Sequence, residues 1–121
     1  MKSKNPLLKN FDFAFEGLKT AFTNGRNFRI QVVMGALAII LGLFLHIDPF
    51  EWLDLTLVIA SVLILELMNT AIEAIVDIVS PEIQPRAKIA KDVAAASVLV
   101  ASIAAIFIGA FLFLPKILSF L

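Results

Sequence analysis

The sequence contains no cysteine, no tyrosine and a single tryptophan, and only 17% of its 121 residues are charged. Without cysteine, disulfides and thiolate metal sites are excluded, although the compartment stays open. Basic and acidic residues number ten each, so the net charge of zero gives no support for a nucleic-acid partner. The remainder is apolar: 60% of residues are hydrophobic, with a mean hydropathy of +0.97, against about 45–50% in soluble domains. The composition predicts one integral membrane domain over residues 1–121.

The N-terminal segment is predicted to form an amphipathic helix over residues 6–25. Pro6 is suited to the first turn of a helix, and Gly25 is suited to end or kink it. Apolar side chains recur between them at spacings of four and three, at Leu7, Phe11, Phe15, Leu18 and Phe22. This pattern predicts a helix lying in the membrane surface. A cleaved signal peptide is not indicated, because the first 29 residues mix acids and bases.

Three longer apolar segments are predicted to cross the membrane, over about residues 29–47, 52–79 and 86–114. Residues 48–51 are predicted to form a turn, with Trp52 as an interfacial anchor. Small residues repeat every four positions along the third segment, at Ser97, Ala101, Ala105 and Gly109. Such a seam allows close helix packing. The predicted fold is all-α, with a surface helix and three transmembrane helices.

Lysine and arginine predict the orientation in the cell membrane. Six of them precede the first span, three lie between residues 86 and 91, and only Lys116 lies near the C-terminus. Positive residues favour the cytoplasmic side. The N-terminus and the second loop are therefore predicted to be cytoplasmic, with the C-terminus outside.

The most informative stretch is Glu-Leu-Met-Asn-Thr-Ala-Ile-Glu-Ala-Ile-Val-Asp, residues 66–77. At about 100° per residue, Glu66, Asn69, Glu73 and Asp77 fall within an arc of roughly 80° on one helix face. A charged side chain at the centre of a span costs about 2.5–3.5 kcal/mol on insertion scales, so these groups must face a partner, water or a ligand. Two interpretations remain open: a polar contact between helices, or a metal and phosphate site where the helix leaves the membrane.

Lys91 and Asp92 add charge at the same predicted cytoplasmic edge. Mg²⁺ is usually held by one or two carboxylates together with phosphate oxygens, and a lysine can pair with phosphate. A carboxylate at membrane depth, such as Glu66, can act as general base on a lipid hydroxyl. The set suits phosphoryl transfer from a nucleotide to a membrane alcohol, although neither a Walker A loop nor a protein-kinase signature is present.

Two motifs carry a family resemblance: residues 66–77 and, fourteen residues after Asp77, Lys91-Asp92-Val93-Ala94-Ala95-Ala96. With Glu16-Gly17-Leu18-Lys19 and Asn27-Phe28-Arg29, nearly the whole chain resembles the prokaryotic diacylglycerol kinase and undecaprenol kinase family. The Ser-Pro-Glu-Ile loop at residues 80–83 and the Asn-Phe-Arg run look most like the undecaprenol kinase branch.

The resemblance implies a homotrimer that shares active sites between subunits and phosphorylates a lipid alcohol, undecaprenol or alternatively diacylglycerol, with ATP and Mg²⁺. By the same resemblance, Glu66 is the catalytic base, Asn69 supports the phosphoryl group and Glu73 is a metal ligand. The resemblance further implies that the nucleotide contacts are Glu73, Asp77, Glu82, Ile83, Gln84, Lys91 and Asp92. Gln84 stands where the family usually has histidine.

Gly25 departs from the family pattern in a way that bears on catalysis. The family places a second metal-ligand glutamate where this sequence has Gly25, and glycine offers no side-chain ligand. A non-catalytic relative that binds nucleotide or lipid is therefore one alternative, and a small transporter using Glu66 as a proton relay is another. Gly25→Glu should restore activity, unless a positive φ at this position makes any larger residue strained.

Overall fold

The computed structural model describes residues 5–121, and that range consists of four helices: α1 (Pro6–Asn24), α2 (Arg26–Phe44), α3 (Pro49–Val79) and α4 (Pro85–Leu118). The all-helical prediction is confirmed. Helices α2, α3 and α4 are each long and apolar enough to cross a membrane. Lys2 and Lys4, which enter the orientation prediction, lie outside the described residues.

The predicted turn at residues 48–51 is wrong, because this segment opens α3. Asp48 is the N-cap, with Pro49 in the first turn. The Glu51 backbone N–H donates to Asp48 Oδ1 at 2.9 Å, and the Asp48 N–H donates to Glu51 Oε1 at 3.2 Å. These reciprocal bonds form a capping box. The bond from the Glu51 backbone also holds the pKa of the Asp48 carboxyl below its ordinary value, because it stabilises the ionised form.

The other predicted helix ends shift by a few residues. Helix α2 begins at Arg26 and ends at Phe44, rather than spanning 29–47, since the chain turns sharply through His46 at a positive φ of 53°. Helix α4 continues beyond residue 114 to Leu118, with Pro115 inside its last turn. Because proline has no N–H, the hydrogen bond that position 115 would donate to the preceding turn is missing there.

Helices α3 and α4 form an antiparallel pair whose distal end, away from the loop between them, is closed by a small core. Its buried members are Ile47, Leu55, Leu112 and Phe113. Beside it, Lys116 Nζ of α4 lies 2.7 Å from Glu51 Oε2 of α3, and both side chains are mostly buried. This end therefore fixes the register of the pair, which sets where residues near the loop meet.

Most other large apolar side chains are exposed, among them Phe44, Ile106 and Phe111. An apolar exterior of this kind suits a hydrocarbon solvent, in which only fully hydrogen-bonded backbone is stable. Along α1, Phe11, Phe13 and Phe15 are also exposed, while Ala21 near its end is buried. The contacts within this chain do not determine where α1 lies relative to the membrane, so its position in the membrane surface stays a prediction.

Candidate functional site

The polar stripe on α3 changes from buried to exposed along the helix. Glu66 and Asn69 are 7% and 8% exposed, whereas Glu73 and Asp77 are exposed. Glu66 and Asn69 are the only buried polar or charged residues in the described chain. The four residues predicted to share one helix face therefore form a stripe that is shielded from solvent at the Glu66 end and exposed at the Asp77 end.

Glu66 has one polar contact at its carboxylate and one at its backbone carbonyl. Gln31 of α2 lies beside it, with Nε2 3.4 Å from Glu66 Oε2. The Thr70 hydroxyl donates to the Glu66 backbone carbonyl at 2.9 Å, as hydroxyls one turn along a helix commonly do. The carboxylate thus faces α2 within a largely apolar setting, where few groups compete for it.

Asn69 and Glu73 form the middle of the stripe. Asn69 Nδ2 donates to Glu73 Oε1 at 3.2 Å, one helical turn along. Asn69 Oδ1 is buried and finds no hydrogen-bond partner among residues 5–121. A buried acceptor of this kind is unusual and calls for a ligand or an ordered water.

A magnesium ion fits this part of the stripe only as an open site. Across residues 5–121 there is no cluster of three acidic or histidine side chains close enough to hold a metal. Mg²⁺ does not need one, because it commonly takes one or two carboxylates together with phosphate oxygens and water. The exposed carboxylate of Glu73 supplies a suitable hard oxygen ligand.

At the exposed end, α3 meets the first turns of α4. Lys91 of α4 is hydrogen-bonded to Asp77 of α3, so the structure brings together two residues predicted to share one edge. Asp92 instead pairs with Lys88 on its own helix, at 2.6 Å. The predicted nucleotide-contacting loop residues, Glu82, Ile83 and Gln84, are all exposed between the two helices.

The sequence analysis did not single out Gln31, and it named Arg29 only for its charge and for the family resemblance. Gln31 could have been noticed as a polar residue inside an otherwise apolar span, where such residues are rare. Arg29 Nη1 donates to the backbone carbonyls of Phe22 and Thr23, at 2.8 Å each. Arg29 thereby caps the carbonyl end of α1 and fixes the angle between α1 and α2.

Gly25 is the single residue between α1 and α2. Its φ is −102°, so the strain that a positive φ would bring to a larger residue does not arise. Another constraint is present: its N–H donates to the Ala21 carbonyl at 2.8 Å. A Cβ added at Gly25 would lie 2.6 Å from the same oxygen, closer than side-chain carbons come to other atoms. The close approach of the backbone therefore favours glycine here.

An open groove of about 310 Å³ runs between α2, α3 and α4 on the inner side of Glu66. Its wall is almost entirely apolar, and its polar members are Gln31 and Ser102. Gln31, which contacts Glu66, is thus also part of the groove. The groove can take a hydrocarbon chain and leads towards the buried carboxylate.

These features define a small helical membrane protein whose carboxylate and amide stripe joins an apolar groove to an open polar end. The family model for prokaryotic diacylglycerol kinase matches residues 12–113. The chain is 44% identical to a diacylglycerol kinase of Synechocystis sp. over 114 residues, 93% of this chain and 65% of that relative. It is 35% identical to the undecaprenol kinase of Bacillus subtilis, over 93% of this chain and 92% of that one.

A third relative, the diacylglycerol kinase of Escherichia coli K12, is 33% identical over 83% of this chain and 82% of its own length. The chain belongs to the prokaryotic diacylglycerol kinase family and is a lipid kinase. The resemblance noted in the sequence is thereby confirmed. Since the chain spans just under two thirds of the Synechocystis relative and its relatives are named for two different lipids, the substrate is argued from the groove and the stripe.

Proposed function

We propose that this chain transfers the γ-phosphoryl group of ATP to the hydroxyl of a membrane lipid alcohol, with undecaprenol the favoured acceptor and diacylglycerol the alternative. The observation that carries the proposal is the gradient along α3, from buried Glu66 beside the groove to exposed Glu73 and Asp77. At 1.5 Å per residue, Glu66 and Glu73 are separated by about 10 Å along the helix. A lipid hydroxyl and a nucleotide phosphate can therefore approach the same stripe from opposite ends.

Glu66 acts as the general base in this proposal. Its carboxylate accepts the proton of the lipid hydroxyl while the hydroxyl oxygen bonds to the γ-phosphorus and the bond from phosphorus to the ADP oxygen breaks. ADP leaves, and the proton passes from Glu66 to solvent. Asn69 lies one turn closer to the open end, where its amide can support the transferring group. Positioning and charge neutralisation are the main sources of rate in such reactions.

Glu73 is the proposed protein ligand of Mg²⁺. The ion, when bound, neutralises the phosphate oxygens during transfer. The Asn69 amide group that donates to Glu73 fixes the orientation of that carboxylate, as supporting hydrogen bonds do for metal ligands. The small number of protein ligands leaves coordination positions for phosphate oxygens and for a group from a neighbouring subunit of the proposed homotrimer.

The nucleotide is proposed to bind at the exposed edge formed by Asp77, Lys91, Asp92 and the loop residues Glu82, Ile83 and Gln84. Lys91 is paired with Asp77 near the surface, and exposed pairs of this kind are weak. A phosphate can therefore replace Asp77 as the partner of Lys91 at little cost. The excess of lysine and arginine around this edge supports a cytoplasmic position, on the side that supplies ATP.

The groove favours undecaprenol over diacylglycerol. Diacylglycerol carries two ester groups besides its hydroxyl, and these lose hydrogen bonds to water or headgroups when they enter an apolar wall. Undecaprenol has a single hydroxyl on a hydrocarbon chain. Gln31 and Ser102 are the only polar residues that line the groove. The groove therefore suits the single hydroxyl and hydrocarbon chain of undecaprenol better than the two esters of diacylglycerol.

The deciding experiment uses the purified chain in detergent with labelled ATP and Mg²⁺, offered undecaprenol and diacylglycerol in parallel. Glu66→Gln serves as the matched control, because it keeps the shape of the side chain and removes the base. We expect transfer to undecaprenol at the higher kcat/KM and none in the control. Folded protein that binds ATP but phosphorylates neither lipid would instead identify the chain as the non-catalytic relative that Gly25 suggests.

A further inference from the structure

The hydroxyl of Ser102, on α4, is the hydrogen-bonding group of the groove that an incoming ligand can reach. Gln31 is the other polar residue of the wall, but its carbonyl oxygen is buried and its amide nitrogen faces Glu66. Ser102 is half-buried, and its hydroxyl forms no hydrogen bond with any residue between 5 and 121. A wall that is otherwise apolar therefore presents one free hydroxyl.

Serine hydroxyls elsewhere in this helix pair are satisfied by their own backbone. Ser61 Oγ donates to the Leu57 carbonyl at 2.6 Å, and Ser97 Oγ donates to the Ala94 carbonyl at 2.6 Å. Bonds of this kind let a serine lie in a helix without a further partner. Ser102 makes no such bond, and a hydroxyl taken from water without a replacement hydrogen bond costs free energy. A ligand that supplies the bond would remove that cost.

Ser102 lies at the depth of Glu66, because α3 and α4 are joined at both ends. Near the loop, Lys91 of α4 is bonded to Asp77 of α3. Ser102 follows Lys91 by eleven residues, and Glu66 precedes Asp77 by eleven. Counting inwards from the distal ion pair gives the same depth to within one residue. At 1.5 Å per residue, both side chains therefore lie about 16 Å from the contact near the loop.

We propose that Ser102 is a specificity-determining residue for the lipid: its hydroxyl donates a hydrogen bond to the oxygen of the lipid alcohol when the hydrocarbon chain lies in the groove. This inference rests on the proposed lipid kinase function and deepens it. One lone pair of the lipid oxygen accepts from Ser102 and the other attacks the γ-phosphorus, as the bond from phosphorus to the ADP oxygen breaks. The lipid proton passes to Glu66, and Ser102 keeps its own proton throughout.

The wall beyond Ser102 suits a hydrocarbon chain. Ala105, Ile106 and Gly109 follow it along α4 and line the same groove. A Cβ added at Gly109 would meet no atom within 4 Å, so the groove stays open two helical turns deeper than Ser102. A lipid alcohol bound there has its tail against apolar side chains and its oxygen at the depth of Ser102 and Glu66.

The kinetic test replaces Ser102 by alanine, which removes the hydroxyl and keeps a small side chain. A serine that served only to let helices approach would be replaced by alanine without loss, because small residues are interchangeable in that role. In the purified protein with undecaprenol, we expect kcat/KM for the lipid to fall by about fivefold, the equivalent of one hydrogen bond. KM for ATP should stay within about twofold, and thermal stability should be unchanged or higher, since alanine favours the helix. An unchanged kcat/KM for the lipid would overturn the proposal.

Ser61→Ala is the matched control, because it also removes a serine hydroxyl from a membrane helix. Ser61 is exposed, lies outside the groove and is already bonded to the Leu57 carbonyl. We therefore expect kcat/KM for the lipid to be unchanged in this variant. An equal loss in both variants would contradict the proposal, since the effect would then not depend on the groove.

A binding measurement without ATP separates this proposal from the kinase function itself. A short-chain polyprenol is compared with the hydrocarbon of the same chain that lacks the hydroxyl, each bound to the intact protein in detergent. The preference for the alcohol should shrink by about fivefold in Ser102→Ala and stay unchanged in Ser61→Ala. This shift in a protein that phosphorylates neither lipid would support the contact at Ser102 and refute the kinase proposal. An equal preference in all three proteins would refute the role of Ser102 whether or not the chain turns over lipid.

Discussion

Replacing Gly25 by glutamate tests whether the loss of the family's second glutamate leaves this chain short of a metal ligand. The junction between α1 and α2 leaves little room, because a Cβ at Gly25 would lie 2.6 Å from the Ala21 carbonyl oxygen and must move to 3.0 Å or more. The neighbour is backbone, and the same oxygen accepts the Gly25 N–H at 2.8 Å. Overpacking of this kind costs about 1–3 kcal/mol, so both Gly25→Ala and Gly25→Glu should lose stability by that amount.

The two variants share the steric cost and differ in the carboxylate. If Mg²⁺ lacks a second protein ligand beside Glu73, Gly25→Glu should need about tenfold less Mg²⁺ than Gly25→Ala for half-maximal rate. Groups around a metal typically change its affinity by about 10–100-fold. Its kcat should also exceed that of Gly25→Ala. The assay is a Mg²⁺ titration of lipid phosphorylation, with thermal stability measured on the same samples. Equal Mg²⁺ dependence in two folded variants would show that the metal is completed from elsewhere.

Three further predictions follow from the site and the topology. Glu66→Gln should abolish phosphoryl transfer while ATP binding and thermal stability stay near normal, and near-normal turnover would exclude Glu66 as the base. Lys91→Met should raise KM for ATP and leave KM for the lipid unchanged, because Lys91 lies at the exposed end with Asp77; an effect on lipid KM alone would place the nucleotide elsewhere. Cysteines introduced at Glu51 and Glu82 should label from opposite sides of a sealed membrane, and labelling from one side would contradict the predicted orientation.

The sequence predicted the helices well because their apolar segments are long and their polar interruptions few. It misjudged residues 48–51, where Asp48 and Glu51 form a capping box that is itself readable from an acidic N-cap and a glutamate three residues later. The stripe from Glu66 to Asp77 follows from helical periodicity alone. The pairing of Lys91 with Asp77 depends on the register of α3 against α4, which is fixed by distant contacts such as Glu51 with Lys116.

Gln31 and Gly25 show where sequence reasoning ends for different physical reasons. The contact between Gln31 and Glu66 depends on how α2 packs against α3. The spacing of residues within one segment does not reveal it. At Gly25 the sequence identified the departure but not the steric constraint, because the sign of φ and the distance to the Ala21 carbonyl are set by how tightly α1 joins α2.

The two ends of the α3–α4 pair are built for different tasks. At the distal end, Glu51 and Lys116 are mostly buried beside a compact apolar core, and breaking such a pair is costly because it leaves a charge without a partner. At the site end, Asp77 is exposed and Lys91 is half-buried, so their contact is more open to solvent and can be exchanged for a phosphate at smaller cost. Stability concentrated at one end of the pair therefore allows the other end to open for a nucleotide without loosening the register that places Glu66 at the groove.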